Sequence, residues 1–146
     1  MAADFYADSS FLVSLYRRDD NQDAANAFME RHTPALSFSP LNRIELRNAL
    51  RNAASFGHLT EADLRAAFRR MDLDLNEGIL THLPVDWMRI FSVAEEVSDK
   101  HSAREGQRTI DLLHVAIALE AGAKTFLSFD HRQRRLAQSV GLRVKP

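Results

Sequence analysis

Residues 108–130 read RTIDLLHVAIALEAGAKTFLSFD, and this stretch constrains the fold more than any other. From about Ile110 to Ala121 it is apolar on nearly every side of a helix. After a turn at Gly122, Thr125–Leu127 is an apolar run of strand length. A helix and a strand this apolar, joined this tightly, belong in the interior of a layered structure, with sheet and helices covering one another. Two carboxylates nevertheless bound the stretch, Asp111 at its start and Asp130 at its end. A buried carboxylate without a partner costs several kcal/mol or takes up a proton. Both acids therefore demand an explanation.

The rest of the chain repeats the alternation. Phe5–Ala7 predicts a strand, Asp8-Ser9-Ser10 a polar turn, and FLVSLYRRDD a helix. ALSF is strand-like; Ser39 then caps a helix with Pro40 in its first turn, and this helix runs to about Phe56, where Gly57 stops it. Thr60 caps a helix over EADLRAAFRRMDLDL that ends before Gly78. ILTHLPV predicts a third strand, and DWMRIFSVAEEVSDKHSARE a helix capped by Asp86. HRQRRLAQSV predicts a last helix, ended by Gly141, and LRV a last strand. Strands alternating with helices predict an α/β, three-layer sandwich around a central parallel sheet of about five strands. At 146 residues, without repeats, low-complexity segments or linkers, the expectation is a single domain over residues 1–146.

Composition removes several function classes. The net charge of −1 gives no global signature of nucleic-acid binding, so any such binding must come from a local patch. With no cysteine there is neither a disulfide nor a thiolate metal site, and a reducing compartment is expected. MAADFYADSS carries acids where a signal peptide needs basic residues, and no apolar stretch approaches the roughly 20 residues of a membrane span. A cytoplasmic location without membrane contact is expected.

Sites in open parallel sheets form at the carboxyl ends of the strands, where strand order reverses. Asp8 follows the first strand and Asp130 the fourth, which puts both at that edge. Asp111 lies in the first turn of the helix feeding the fourth strand, and because another helix precedes it, it can start at the same edge. Glu45 lies in the first two turns of the helix after the second strand, on a stripe with Asn42, Asn48 and Asn52. Two unit charges about 4 Å apart interact by roughly 4 kcal/mol at an effective dielectric near 20. Four such acids in one crevice persist either by protonating or by holding divalent cations. An oxygen-only set suits Mg²⁺ or Mn²⁺ better than Zn²⁺. Each acid alone has a plainer reading: turn former or helix cap for Asp8 and Asp130, dipole partner for Asp111, solvated helix residue for Glu45. The combination favours a metal site.

FYADSSFLVSLY, SPLNRIELRNAL, IDLLHVAIALEAGAKTFLSFD and RRLAQSVGLRV, in this order and over nearly the whole chain, resemble the PIN domain, specifically its VapC-type toxins. Asp8-Ser9-Ser10 resembles the family's Asp and small hydroxyl residue after the first strand. Glu45 matches its Glu in the helix after the second strand, Asp111 its Asp opening an apolar helix, and Ser128 and Asp130 its hydroxyl and Asp after the next strand. The resemblance implies a metal-dependent endoribonuclease, usually the toxin of a toxin–antitoxin pair. It also implies an RNA substrate, a small antitoxin partner and a homodimer. Asp8, Glu45 and Asp111 would carry the metal most directly, Asp130 would complete the site, and Ser10 and Ser128 would orient carboxylates or metal waters.

Other residues admit two readings. His114 is either a proton shuttle near Asp111 or a packed histidine with a satisfied hydrogen bond. His131 is either a phosphate contact or an exposed helix-start residue. Arg132, Arg134 and Arg135 are either an RNA-backbone contact or a wet surface. Arg43, Arg47 and Arg51 form an i, i+4, i+8 stripe roughly opposite Glu45, suited to solvent or a partner, and Trp87 and Phe91 suit either core or a dimer face. A receiver-type signalling domain would need an acidic pair after the first strand and a Lys following the Thr125–Leu127 strand. A haloacid-dehalogenase-type phosphatase would need Asp at position 10. Both patterns are missing. The remaining rival is a catalytically silent PIN-like module that binds RNA or protein.

Overall fold

The computed structural model describes residues 4–101 and 106–146. Its first strand, β1 (Phe5–Ala7), leads without a turn into α1 (Ser9–Tyr16), followed by α2 (Gln22–His32) and β2 (Leu36–Phe38). Then come α3 (Pro40–Ser55), α4 (Glu61–Asn76), β3 (Leu80–His82), α5 (Trp87–His101), α6 (Thr109–Glu120), β4 (Thr125–Leu127), α7 (His131–Ser139) and β5 (Arg143–Lys145). All strand pairs are parallel, in the order β3-β2-β1-β4-β5. The chain therefore lays β2 and β3 to one side of β1, then crosses back to lay β4 and β5 on the other. With crossovers of one hand, that reversal sends the two halves' helices to opposite faces.

The core follows this division. Tyr6 and Phe126, on the same side of neighbouring strands, pack with the buried faces of α5, α6 and α7. Ala7 and Leu127, one residue on, face the other way with Leu36, Phe38 and the buried faces of α1 to α4. This is the expected three-layer sandwich with five parallel strands. Fully burying a residue such as Tyr6, Phe38 or Phe126 is worth about 1.5–3 kcal/mol, so even three-residue strands are firmly held.

Two local expectations are corrected. Asp8-Ser9-Ser10 is no turn: Asp8 is the N-cap of α1, its carboxylate accepting from the Phe11 N–H at 3.1 Å, and both serines are helical. The sequence reading also has no element where α2 lies. That helix buries only Ala25 and Phe28, too thin an apolar stripe to stand out. Phe28 nevertheless meets Phe5 and Phe11 edge to face, at ring-centroid distances of 5.7 and 6.0 Å. The anticipated caps Ser39, Thr60 and Asp86 each accept a backbone N–H from the first turn of their helix. The expected last residues of α5, 102–105, lie outside the described residues.

Candidate active site at the β1–β4 edge

β1 and β4 are neighbours in space and far apart in sequence, so their carboxyl ends form the point where strand order reverses. Ala7 pairs with Leu127, and the Asp8 N–H donates to the Leu127 carbonyl at 3.0 Å. This one bond sets the register of everything that follows both strands.

Asp8 is 4% exposed. Ser10 donates to its Oδ1 at 2.6 Å, and Ser128 donates to its Oδ2 at 2.5 Å. The two serine hydroxyls are 3.3 Å apart, and they accept the N–H groups of Phe129 and Asp130 respectively. Burial pushes the Asp8 carboxyl above the usual carboxylate range; Ser10, Ser128, the nearby His114 and the Phe11 N–H oppose that shift without cancelling it.

Glu45 reaches this edge because α3 is anchored there. Ser39 and Asn42 form a reciprocal capping box, and the Asn42 amide also donates to the Ala7 carbonyl at 3.0 Å. Asn42, expected on a polar stripe with Glu45, is thus wholly buried and structural, while Asn48 and Asn52 are exposed. One turn on, Glu45 Oε1 accepts from Ser9 at 2.6 Å and also contacts His114 Nε2. Burial alone would raise the Glu45 carboxyl, but His114, Ser9 and the more distant Arg108 outweigh it and leave it below its ordinary value. His114 is 2% exposed, and its Nδ1 lies 2.7 Å from the Tyr6 hydroxyl.

Asp111 is buried in the first turn of α6, where Arg108 forms a two-pronged pair with it, Nε to Oδ2 at 3.0 Å and Nη2 to Oδ1 at 3.1 Å. Asp111 first, then Asp130 and Glu45, hold the Arg108 guanidinium above its ordinary range. One cation thus responds to three of the four acids. Asp130 caps α7 through the Gln133 N–H at 2.9 Å, and the Gln133 amide donates to the Asp111 carbonyl at 3.1 Å, tying α7 to α6.

All four expected acids therefore face one edge, with Ser10 and Ser128 on Asp8. The sequence reading missed Ser9, Tyr6 and Arg108; the signal for Arg108 was its i, i+3 spacing from Asp111 at a helix start. Among the described residues, no group of three or more His, Asp or Glu side chains stands close enough to hold a metal ion. Each acid instead engages a protein donor. The all-oxygen donor set and its attraction for Arg108 fit a hard divalent cation chemically, and closing a cage around one requires side-chain movement.

The expected RNA contacts are unlike one another. Arg134 donates to the Ser128 carbonyl at 2.6 Å and the Pro146 carbonyl at 3.0 Å. Arg132, Arg135 and His131 are exposed on α7. In the other arginine stripe, Arg47 and Arg51 lie over the Phe68 ring at 4.3 and 5.1 Å. Trp87 packs partly into the core, 6.1 Å from the half-exposed Phe91 ring. Among the described residues, no helix is long and apolar enough to cross a membrane.

The family model for the PIN domain matches residues 5–139. No curated protein matches the chain significantly in sequence. Among solved structures, the chain is similar to VapC20 of Mycobacterium tuberculosis, described as a sarcin-ricin loop cleaving toxin, with 19% identity and a TM-score of 0.67 over 97% of this chain and 99% of that one. It is similar to a chain of the VapBC2 structure from Rickettsia felis, bound to a DNA fragment from their promoter, with 13% identity and a TM-score of 0.67 over 97% and 96%. It is also similar to a chain of FitAcB from Neisseria gonorrhoeae, with 13% identity and a TM-score of 0.66 over 97% and 96%. At these identities the likeness is one of fold.

Proposed function

Because the chain belongs to the PIN-domain family, we propose that it is a metal-dependent endoribonuclease of the VapC type, the toxin of a toxin–antitoxin pair. The observation that carries this reading is Asp8, an almost wholly buried carboxylate clasped by two serine hydroxyls beside Glu45, Asp111 and Asp130. Such a residue is costly to a fold that has no use for its charge. Asp8, Glu45, Asp111 and Asp130 would hold Mg²⁺ or Mn²⁺, and Ser10 and Ser128 would keep the Asp8 oxygens aimed. When bound, the ion supplies water activation and charge neutralisation at a phosphodiester. Arg108 would leave Asp111 as the ion enters, and Arg132 and Arg135 would lie toward the RNA backbone. In this reading residues 1–146 form one domain that acts in the cytoplasm as a homodimer restrained by a small antitoxin; the similarity to a chain of the Rickettsia felis VapBC2 structure supports the partner.

A second reading, a catalytically silent PIN module that binds RNA or protein, is favoured by one observation: the acids are engaged with protein donors, and among the described residues no three gather around a cation site. Cleavage of a mixed structured RNA pool with Mn²⁺, Mg²⁺ or EDTA, beside an Asp8→Asn control, separates the two. The nuclease reading expects metal-dependent cutting that the control lacks. A folded protein that cuts under none of these conditions supports the silent module.

A further inference from the structure

The buried line Tyr6–His114–Glu45 passes from the middle of the sheet to the proposed metal site, and nothing in the nuclease reading uses its first two members. Tyr6 is 0% exposed and His114 is 2% exposed. A carboxylate has no proton to give, so the His114 Nε2 facing Glu45 Oε1 must carry the hydrogen. On the other side of the ring, Nδ1 lies 2.7 Å from the Tyr6 hydroxyl, so the imidazole is held at both nitrogens. The orientation of the imidazole is thereby fixed from behind.

The consequence falls on one oxygen. Ser9 and His114 both reach Glu45 Oε1, and among the described residues no donor reaches Oε2. A Glu side chain otherwise has three rotatable bonds to order when it binds. Here one oxygen is anchored on two elements, α1 and α6, and the other is left to a ligand. We propose that His114, set by Tyr6, is a positioning residue that presents Glu45 Oε2 to a divalent cation, an inference that rests on the metal-site reading above. Partners behind metal ligands typically contribute 10–100-fold to metal affinity.

The test is Mn²⁺ binding to the metal-free full chain by calorimetry, with circular dichroism confirming the fold of each variant. His114→Leu removes the donor at similar volume and is expected to weaken Mn²⁺ binding by about 10–100-fold. His114→Gln, whose amide nitrogen can reach the Nε2 position, is expected to restore most of that loss. Tyr6→Phe, which only frees the ring's orientation, should fall between Leu and wild type. A merely structural histidine would not be rescued by Gln in this way. If Glu45→Gln loses Mn²⁺ while His114→Leu stays within twofold of wild type, the positioning role is overturned and the metal site stands. If the wild type shows no saturable Mn²⁺ binding, the metal reading fails and the inference goes with it.

Discussion

Asn42 is the residue whose loss should separate scaffold from site most clearly. Its Oδ1 accepts the Ser39 N–H and the Ser39 hydroxyl, both at 2.9 Å, and its amide donates to the Ala7 carbonyl at 3.0 Å, all in a wholly buried position. Asn42→Ala removes three hydrogen bonds, each worth about 1 kcal/mol net, and leaves the Ser39 N–H without this acceptor, at a further cost of about 1–3 kcal/mol. Allowing for partial overlap, the expected loss is about 3–5 kcal/mol, a large share of the roughly 5–15 kcal/mol of a typical domain. At about 2–4 °C per kcal/mol for chains near this size, the melting midpoint should fall by about 6–20 °C. Urea unfolding followed by circular dichroism would measure it, with Asn48→Ala, exposed on the same helix, expected within about 0.5 kcal/mol of wild type. Asn42→Asp keeps the acceptor, loses the amide donor and buries a charge, so it should be at least as damaging. An Asn42→Ala loss below about 1 kcal/mol at unchanged denaturant slope would refute the claim that this side chain fastens α3 to β1.

Three more outcomes follow from particular residues. Asp8→Asn keeps an N-cap and removes a buried charge whose folded pKa is raised. The wild-type group contributes stability below its unfolded pKa and loses it as pH rises through the folded one. The variant should therefore melt higher than metal-free wild type at neutral pH, and the gap should close toward the ordinary carboxylate range; a gap that widens on acidification contradicts this. Thr33, exposed at the end of α2, holds φ 43° and ψ 46°, a left-handed conformation disfavoured for residues with a Cβ. Thr33→Gly should stabilise the fold by about 0.5–1 kcal/mol in urea titration, and a loss would show that the threonine side chain makes up the difference. Arg108→Ala removes the cation that competes for Asp111, Asp130 and Glu45, so Mn²⁺ should bind severalfold tighter in calorimetry; weaker binding would mean that Arg108 helps to shape the site.

Sequence reading recovered the elements whose ends carry chemical punctuation. Ser39-Pro40, Thr60 and the glycines at 57 and 141 mark helix boundaries that the structure keeps within a residue or two. It located Asp8 and Asp130 correctly at one sheet edge because strand alternation alone fixes which end of a strand a following residue occupies. It missed α2, where two buried residues leave almost no periodic signal. It also could not see Tyr6 and Arg108 as parts of the site. Tyr6 reads as strand core, and its contact with His114 spans 108 positions, a pairing that no local pattern reveals. Asn42 was legible as polar and near the site, but its burial comes from the way α3 docks on β1, a tertiary fact.

The clasp on Asp8 also sets a timetable for synthesis. Ser128 is made 120 positions after Asp8, and β4, which must pair with β1 to bring it in, comes late in the chain. At about 5–20 residues per second, translation keeps the two halves of the clasp apart for roughly 6–24 s. Throughout that interval a nascent chain has its first acid without Asp130, for most of it without Asp111 as well, and Asp8 lacks one of its two serines. The four acids therefore cannot come together until nearly all of the chain has emerged and β4 has closed onto β1.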